Sequence, residues 1–333
     1  MHHNSVKKPL ISVVIEGYNE SRDLGTADNT MAALATQDFP IDQIEVILLG
    51  NKDQASHWEK TWVRNNTFHS VKVVSMDTLH YYKLKNGGAE IATGNIIAFT
   101  DSDVHPRTTW VSAIVSGIEA GADVTVGPSL FEERHGFKLR PDSPILRAAA
   151  SITWGWILGK WIKGAAPEAR GFMDHNVALK SDAFRDHPYR TDFGRVIASP
   201  LLFRELVNSG LRVVVQPGQQ AVHHFSWRYW LISLNFRYGN EVFRLRRLDP
   251  NYPNQWITRT SILEPLVTMV WHMLLDIPRW FRFTRLLGAS PAYRLGFLPL
   301  LILMSAAARG AEMAGMSATM LAPEKMRRWA ENV

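Results

Sequence analysis

Residues 87–106 read GGAEIATGNIIAFTDSDVHP, and the fold is decided here. Asn95-Ile96-Ile97-Ala98-Phe99-Thr100 is a short apolar run rich in β-branched residues, the composition of a buried strand. It runs straight into Asp101-Ser102-Asp103. In an extended chain, side chains two apart project to one face. Asp101 and Asp103 therefore point together beyond the strand's carboxyl end. Converging carboxylates make a hard-oxygen cation site, and diphosphate oxygens complete such a shell. A second reading of the tripeptide is a polar turn that caps the helix expected from Trp110, since Asp and Ser are common N-caps.

Composition narrows the classes. The chain has 333 residues, enough for one α/β domain with appendages. It contains no cysteine, which excludes disulfides, zinc-thiolate sites and thiol nucleophiles. The net charge of +6 suits phosphate ligands or an anionic membrane surface. Nothing calls for a nucleic-acid partner. The first ten residues hold no apolar signal core, so a cytosolic start is expected.

Upstream, Leu10–Ile15 reads as a buried strand ending in Glu16-Gly17-Tyr18-Asn19-Glu20, and 29–37 as a helix. Ile44–Leu49 is a second strand, ending in Gly50-Asn51, and Val71–Val74 a third. Strands alternating with helices predict a largely parallel sheet covered on both faces. Ligands collect beyond the carboxyl ends of such strands, where these polar clusters fall. No G-x-G-x-x-G follows the first strand and no G-x-x-x-x-G-K-[ST] loop is present, which argues against dinucleotide and P-loop sites.

The segment from Ser12 to Glu20 resembles the opening of the family 2 glycosyltransferases, with Glu16-Gly17 where Pro-Thr is usual. Lys85-Asn86-Gly87-Gly88-Ala89, Ala92-Thr93-Gly94-Asn95 and Asp101-Ser102-Asp103 are similar to that family's second block and its D-x-D motif. The resemblance spans residues 10–110. It implies a GT-A fold (a Rossmann-like, mostly parallel sheet flanked by helices), a nucleoside-diphosphate sugar as donor, and Mn²⁺ or Mg²⁺. By position it implies that Gly17, Tyr18 and Glu20 lie by the base and ribose, and Lys85 and Asn86 near the base or diphosphate. Asp101 is then a ribose or metal ligand and Asp103 a metal ligand. Tyr18 as packing and Lys85 as a solvated charge remain the plainer readings. The resemblance departs where the family's second strand ends in paired aspartates, the first of which reads the base. Gly50-Asn51 stands there, and an Asn both donates and accepts, which leaves uracil and guanine open.

Farther along, Ala148–Lys163 is apolar and Trp-rich, suited to sugar rings, to a lipid interface or to core packing. The charged stretch 129–146 reads as irregular. Gly171–Lys180 resembles the family's acceptor-side strand. The Glu-Asp pair that supplies its general base aligns with Ala198-Ser199, neither of which takes a proton at neutral pH. Carboxylate candidates for a base are Asp174, Asp192 and Glu205. In Val222-His223-His224-Phe225-Ser226-Trp227, His224 is the expected third metal ligand, His223 its alternate, and Trp227 an acceptor platform.

The tail begins at Arg228. Arg228–Arg247 reads as a basic aromatic helix of the kind that lies on anionic membranes. The apolar runs in 261–277 and 295–308 fall short of the ~20 residues of a simple span. The division expected is a glycosyltransferase domain over 1–227 (a nucleotide-sugar half to 110, an acceptor half beyond) and a helical membrane-associated region over 228–333. A soluble helical domain or a dimer interface is the plainer account of that tail. The chain is expected at the cytoplasmic face of the inner membrane, peripheral or monotopic, transferring a sugar with inversion to a hydroxyl on a glycan or lipid-linked acceptor. The rival is a non-catalytic relative that binds nucleotide sugar or glycan as a scaffold subunit.

Overall fold

The computed structural model describes residues 10–19, 27–64, 67–78, 80–133, 143–161, 166–192 and 198–332. The first half runs β1 (Ile11–Glu16), α1 (Ala27–Leu34), β2 (Ile44–Gly50), α2 (Lys52–Trp58), β3 (Ser70–Ser75), α3 (Tyr81–Ile91), β4 (Ile96–Asp101), β5 (Val104–Pro106) and α4 (Trp110–Glu119). The middle continues with β6 (Val124–Val126), β7 (Ser129–Glu133), α5 (Pro144–Trp154), β8 (Leu158–Trp161), β9 (Pro167–Ala169), β10 (Val177–Lys180) and α6 (Ser181–Asp186). Then come α7 (Ala198–Asn208), β11 (Val213–Val215), β12 (Ala221–Phe225), a π-helical segment Tyr229–Phe236 and α8 (Arg237–Leu248). Helices α9 (Glu264–Leu286), α10 (Pro291–Gly296), α11 (Leu298–Leu321) and α12 (Pro323–Asn332) close the chain.

Nine strands form one sheet in the order β3-β2-β1-β4-β10-β6-β11-β9-β8, and β5-β12-β7 form a small second sheet. The β3-β2-β1-β4 half is parallel, and β10 enters antiparallel between β4 and β6. Every residue of β1, β2 and β4 is buried, as strands covered on both faces must be. Alternate residues feed two cores. Val14, Leu49 and Phe99 pack on the α3 side, while Val13, Leu48 and Ala98 pack on the α1 and α4 side. The α3 helix lies so close to the sheet that a Cβ on Gly88 would sit 2.4 Å from a Val14 methyl. Register then aligns the strand ends, with Glu16 opposite both Leu49 and Asp101. The polar clusters of three strands are thereby delivered to one edge.

Two expectations need correcting. Part of the stretch read as irregular is strand β7, which pairs in parallel with β12. The basic helix after Arg228 is interior. Arg237, Glu241, Phe243 and Arg246 of α8 are buried, with Arg246 and Arg247 both paired to Glu264 of α9. The core also continues past residue 227: Trp280, Phe283, Leu301 and Ala308 share one buried cluster with Phe99 and Val177. No helix among the described residues is long and apolar enough to cross a membrane.

A buried ionic network joins these helices to the sheet domain. The Arg309 guanidinium reaches Asp276 and Glu312, each at 2.8 Å, and donates to the Ile152 carbonyl of α5. Burial raises the Glu312 carboxyl, but the charges of His272 and Arg309 override it and hold it at about 2 against an ordinary 4.5. Removing one member of a buried pair strands the other. Asp276→Ala is therefore expected to cost about 3–5 kcal/mol in urea unfolding, whereas removing the exposed Asp192 of the Arg190 pair leaves the midpoint unchanged. The stabilisation that ionised Glu312 provides is full above pH 4.5 and is lost as pH falls through about 2. Stability against pH over that interval should fall less steeply in Glu312→Gln than in the wild type.

Candidate active site

The end of β4 is gripped from α3. Tyr81 and Lys85 lie one helical turn apart, on one face. Tyr81 Oη donates to the Asp101 carboxylate at 2.8 Å, and Lys85 Nζ meets Asp101 Oδ1 at 2.7 Å. Lys85 is fully buried and also donates to the Asp174 carbonyl at 2.9 Å. Asn19, just beyond β1, is the link between the two acids. Its Nδ2 donates to Asp101 at 3.1 Å and to Asp103 at 2.8 Å. The structure thus brings Asp101 and Asp103 to one spot, both without solvent exposure.

Asp103 has a second neighbour on β12, His223, whose Nε2 is 3.1 Å from Asp103 Oδ2. His223 Nδ1 faces the His224 carbonyl at 3.1 Å. A carbonyl only accepts, so Nδ1 carries the hydrogen in the neutral ring, and the Nε2 lone pair faces the Tyr229 hydroxyl at 3.2 Å as well as Asp103. Here the expectation for His224 is corrected. Successive strand residues face opposite ways, and His224 points to the far side, toward Glu132 and His105. The alternate, His223, is the histidine beside the acidic pair.

A cavity of about 150 Å³ is walled by Trp154, Asp174, Ser199 and Arg237 together with Tyr81 and His223, the neighbours of Asp101 and Asp103. The two acids lie behind those side chains and do not line it. Of the three base candidates only Asp174 lines it. Its carboxylate accepts from Tyr82 at 2.9 Å, and its charge acts on the buried Tyr189. Asp192 is exposed and paired with Arg190, and Glu205 sits half-buried on α7, where its charge acts on Arg190. Ser199, at the position of the family's base, does reach the cavity from the start of α7.

Other expected residues have structural duties. Asn51 caps α2, exchanging bonds with Gln54 in a capping box, so its Oδ1 is engaged by the helix. Gln54 also donates to the Gly17 carbonyl at 2.8 Å. A Cβ on Gly17 would meet Gln54 and Trp58 at 2.8 Å, so a side chain here would displace the helix that shapes the loop. Asn86 is spent on the Tyr189 backbone, donating at 2.8 Å and accepting at 3.1 Å. Tyr18 is half-buried and edge-on to Tyr81. Trp227 is exposed beside Phe225 and Trp230. Glu20 lies outside the described residues. Sequence reading passed over Asn19, Tyr81 and Tyr82, although the spacing of Tyr81 from Lys85 on a helix was the available signal.

With the geometry in view, comparison with known proteins defines the class. The sequence model for glycosyl transferase family 2 matches residues 12–184, just over half of the chain. The chain belongs to that family, and its fold is the GT-A arrangement. It is similar to the glycosyltransferase AglE of Haloferax volcanii, 28% identical over 130 residues, which cover 38% of this chain and 42% of that relative. It is 22% identical over 293 residues to the glucosyl-dolichyl phosphate glucuronosyltransferase of the same organism, covering 77% of this chain and 83% of that one. Among solved structures it resembles the mannosyltransferase PcManGT from Pyrobaculum calidifontis, solved with GDP-Man and Mn²⁺. The TM-score is 0.57 at 16% identity, over 96% of this chain and 88% of the other.

The tyrosines around Asp174 give a direct check on this geometry. Burial, followed by the Asp174 charge, pushes the Tyr82 and Tyr189 hydroxyls well above their ordinary value near 10. Both therefore stay neutral, and Tyr82 donates to Asp174. In an ultraviolet titration, Tyr82→Phe is expected to leave the phase near pH 10 unchanged and to reduce only the later phase that accompanies unfolding.

Proposed function

We propose that this chain transfers a sugar from a nucleoside-diphosphate donor to a hydroxyl of a lipid-linked saccharide acceptor, with inversion and with a divalent cation, Mn²⁺ before Mg²⁺. The observation that carries the reading is the junction of Asp101, Asn19, Asp103 and His223, with His223 and Asp174 in the wall of one cavity. These residues fit a cation. Asp101 is already balanced by Lys85, which leaves Asp103, the His223 Nε2 lone pair and Asn19 Oδ1 as donors. Asn19 Oδ1 is buried and has no hydrogen-bond partner among the described residues. Carboxylate and amide oxygen with one imidazole suit Mn²⁺ better than Mg²⁺. When bound there, such an ion supplies charge neutralisation for the departing diphosphate.

The chain's own groups account for the rest. Asp174 takes the proton of the acceptor hydroxyl as its oxygen attacks the anomeric carbon. The bond from that carbon to the diphosphate oxygen breaks, and the diphosphate leaves with the electron pair. Tyr82 orients Asp174, and Lys85 fixes its backbone relative to Asp101. The acceptor class rests on the relative whose name specifies glucosyl-dolichyl phosphate and on an apolar face of α9. Leu266, Val270 and Leu274 recur every four residues and are about half exposed, and the exposed Arg259 and Arg285 stand before and at the end of that helix. This arrangement supports peripheral docking on an anionic membrane.

A second reading, a non-catalytic sugar-nucleotide binder, is favoured by Ser199 at the usual base position. Turnover separates the two. Asp174→Asn is expected to lower kcat by about 10²–10⁴ with donor binding retained. Restoring a carboxylate with Ser199→Asp would rescue activity only if the base belongs on α7 rather than on Asp174. Flotation with anionic vesicles tests the membrane face. Leu266→Ser with Leu274→Ser should move the protein to the unbound fraction without changing its hydrolysis of soluble donor.

A further inference from the structure

The small sheet carries a cluster that the transfer reaction does not use. His105 of β5, Glu132 of β7 and His224 of β12 each come from a different strand. His224 stands opposite Glu132 in the parallel register, and β5 pairs with β12 on the other side. His105 Nδ1 is 2.9 Å from Glu132 Oε1, and His224 Nδ1 is 3.9 Å from the same oxygen. The two imidazoles meet edge to face, with centroids 4.8 Å apart. One ligand atom from each residue lies within 4.8 Å of the others, and this is the sole such group of three among the described residues.

We propose that His105, Glu132 and His224 form a second cation site, for a first-row transition metal of the Zn²⁺ type, that staples the three strands of the small sheet. Zinc bonds of about 2.0–2.1 Å at tetrahedral angles place ligand atoms about 3.3 Å apart, and the separations of 2.9 and 3.9 Å bracket that spacing. Two imidazoles with one carboxylate select Zn²⁺ or Co²⁺ over Mg²⁺ or Ca²⁺, which prefer oxygen. The three side chains are 14–28% exposed, which leaves an approach for the ion and room for a water in the fourth position.

The site is separate from the acidic pair. Asp103 and His223 lie on the opposite face of β12 from His224. It is nonetheless coupled to them through the chain, since His105 is two residues after Asp103 and His224 adjoins His223. A staple here sets the distance between β5 and β12, and with it the distance between Asp103 and His223.

Metal alone is a sufficient probe. The full chain, stripped with chelator and dialysed, is titrated with Zn²⁺ without nucleotide and followed by bound-metal analysis and thermal unfolding. Binding of one equivalent with a raised Tm is expected, and Co²⁺ should give visible d–d absorption. Asp103→Asn should retain that equivalent. His105→Gln with His224→Gln should lose it, and the milder Glu132→Gln should weaken it by at least about 100-fold, the upper range for losing a mere outer partner. The double variant should still fold by circular dichroism; if it does not, Glu132→Gln alone decides. Absence of stoichiometric Zn²⁺ binding by the wild type overturns the proposal. So does binding that persists in Glu132→Gln, or that vanishes in Asp103→Asn.

Discussion

The buried pairing of Lys85 with Asp101 is the constraint on which the rest of the structure depends. A carboxylate with no solvent exposure at a strand end requires a counter-charge, and α3 supplies it from below. For Lys85 to reach, α3 must lie flat against β1 and β2, which is why Gly88 sits where a methyl would strike Val14 and Leu49. The same ammonium holds the Asp174 backbone. One side chain thus fixes the floor of the cation site and the wall on which the proposed base stands. With Asp101 neutralised from below, the net negative charge at the junction rests on Asp103, the member beside His223.

The junction assembles from four separate parts of the chain. Asn19 follows β1, Asp101 and Asp103 end β4, Tyr81 and Lys85 open α3, and His223 comes more than a hundred residues later on β12. Parallel register alone brings the first two together, since Glu16 and Asp101 are direct partners. The small sheet brings the fourth, because β12 pairs antiparallel with β5 immediately after Asp103. The helical tail is part of the same body. Arg309 crosses from α11 to the Ile152 carbonyl of α5, so the wall of the cavity and the tail's charge network are physically joined.

Strands β1 to β4 were legible because they combine dense apolar runs with polar ends, whereas α2 and α3 between them were not read. The convergence of Asp101 and Asp103 was expected from strand periodicity, but β4 ends at Asp101 and Ser102-Asp103 is a turn, so the acids meet through that turn and through Asn19, which bonds both. His224 was chosen over His223 because two adjacent histidines on a strand are distinguished only by which face turns inward. That is set by pairing with β5 and β7, and β7 lay in a stretch with too many charges to look like a strand. Asn51 and Asn86 carried family positions but proved to be bound to backbone, a use of amides that composition does not reveal. The helix after Arg228 looked interfacial from its arginines. Two of them, the buried Arg246 and the more exposed Arg247, pair with Glu264 of α9, a contact that no local pattern announces.

The central claim is that the acids ending β4 grip a cation with a diphosphate on its far side. Its most direct test is anomalous diffraction from crystals soaked with Mn²⁺ and a nucleoside diphosphate. The account predicts a manganese peak bonded to Asp103 and His223, with phosphate oxygens completing the shell toward the cavity. A diphosphate bound with no manganese between it and Asp103, or manganese found only on the far face of β12, would contradict it.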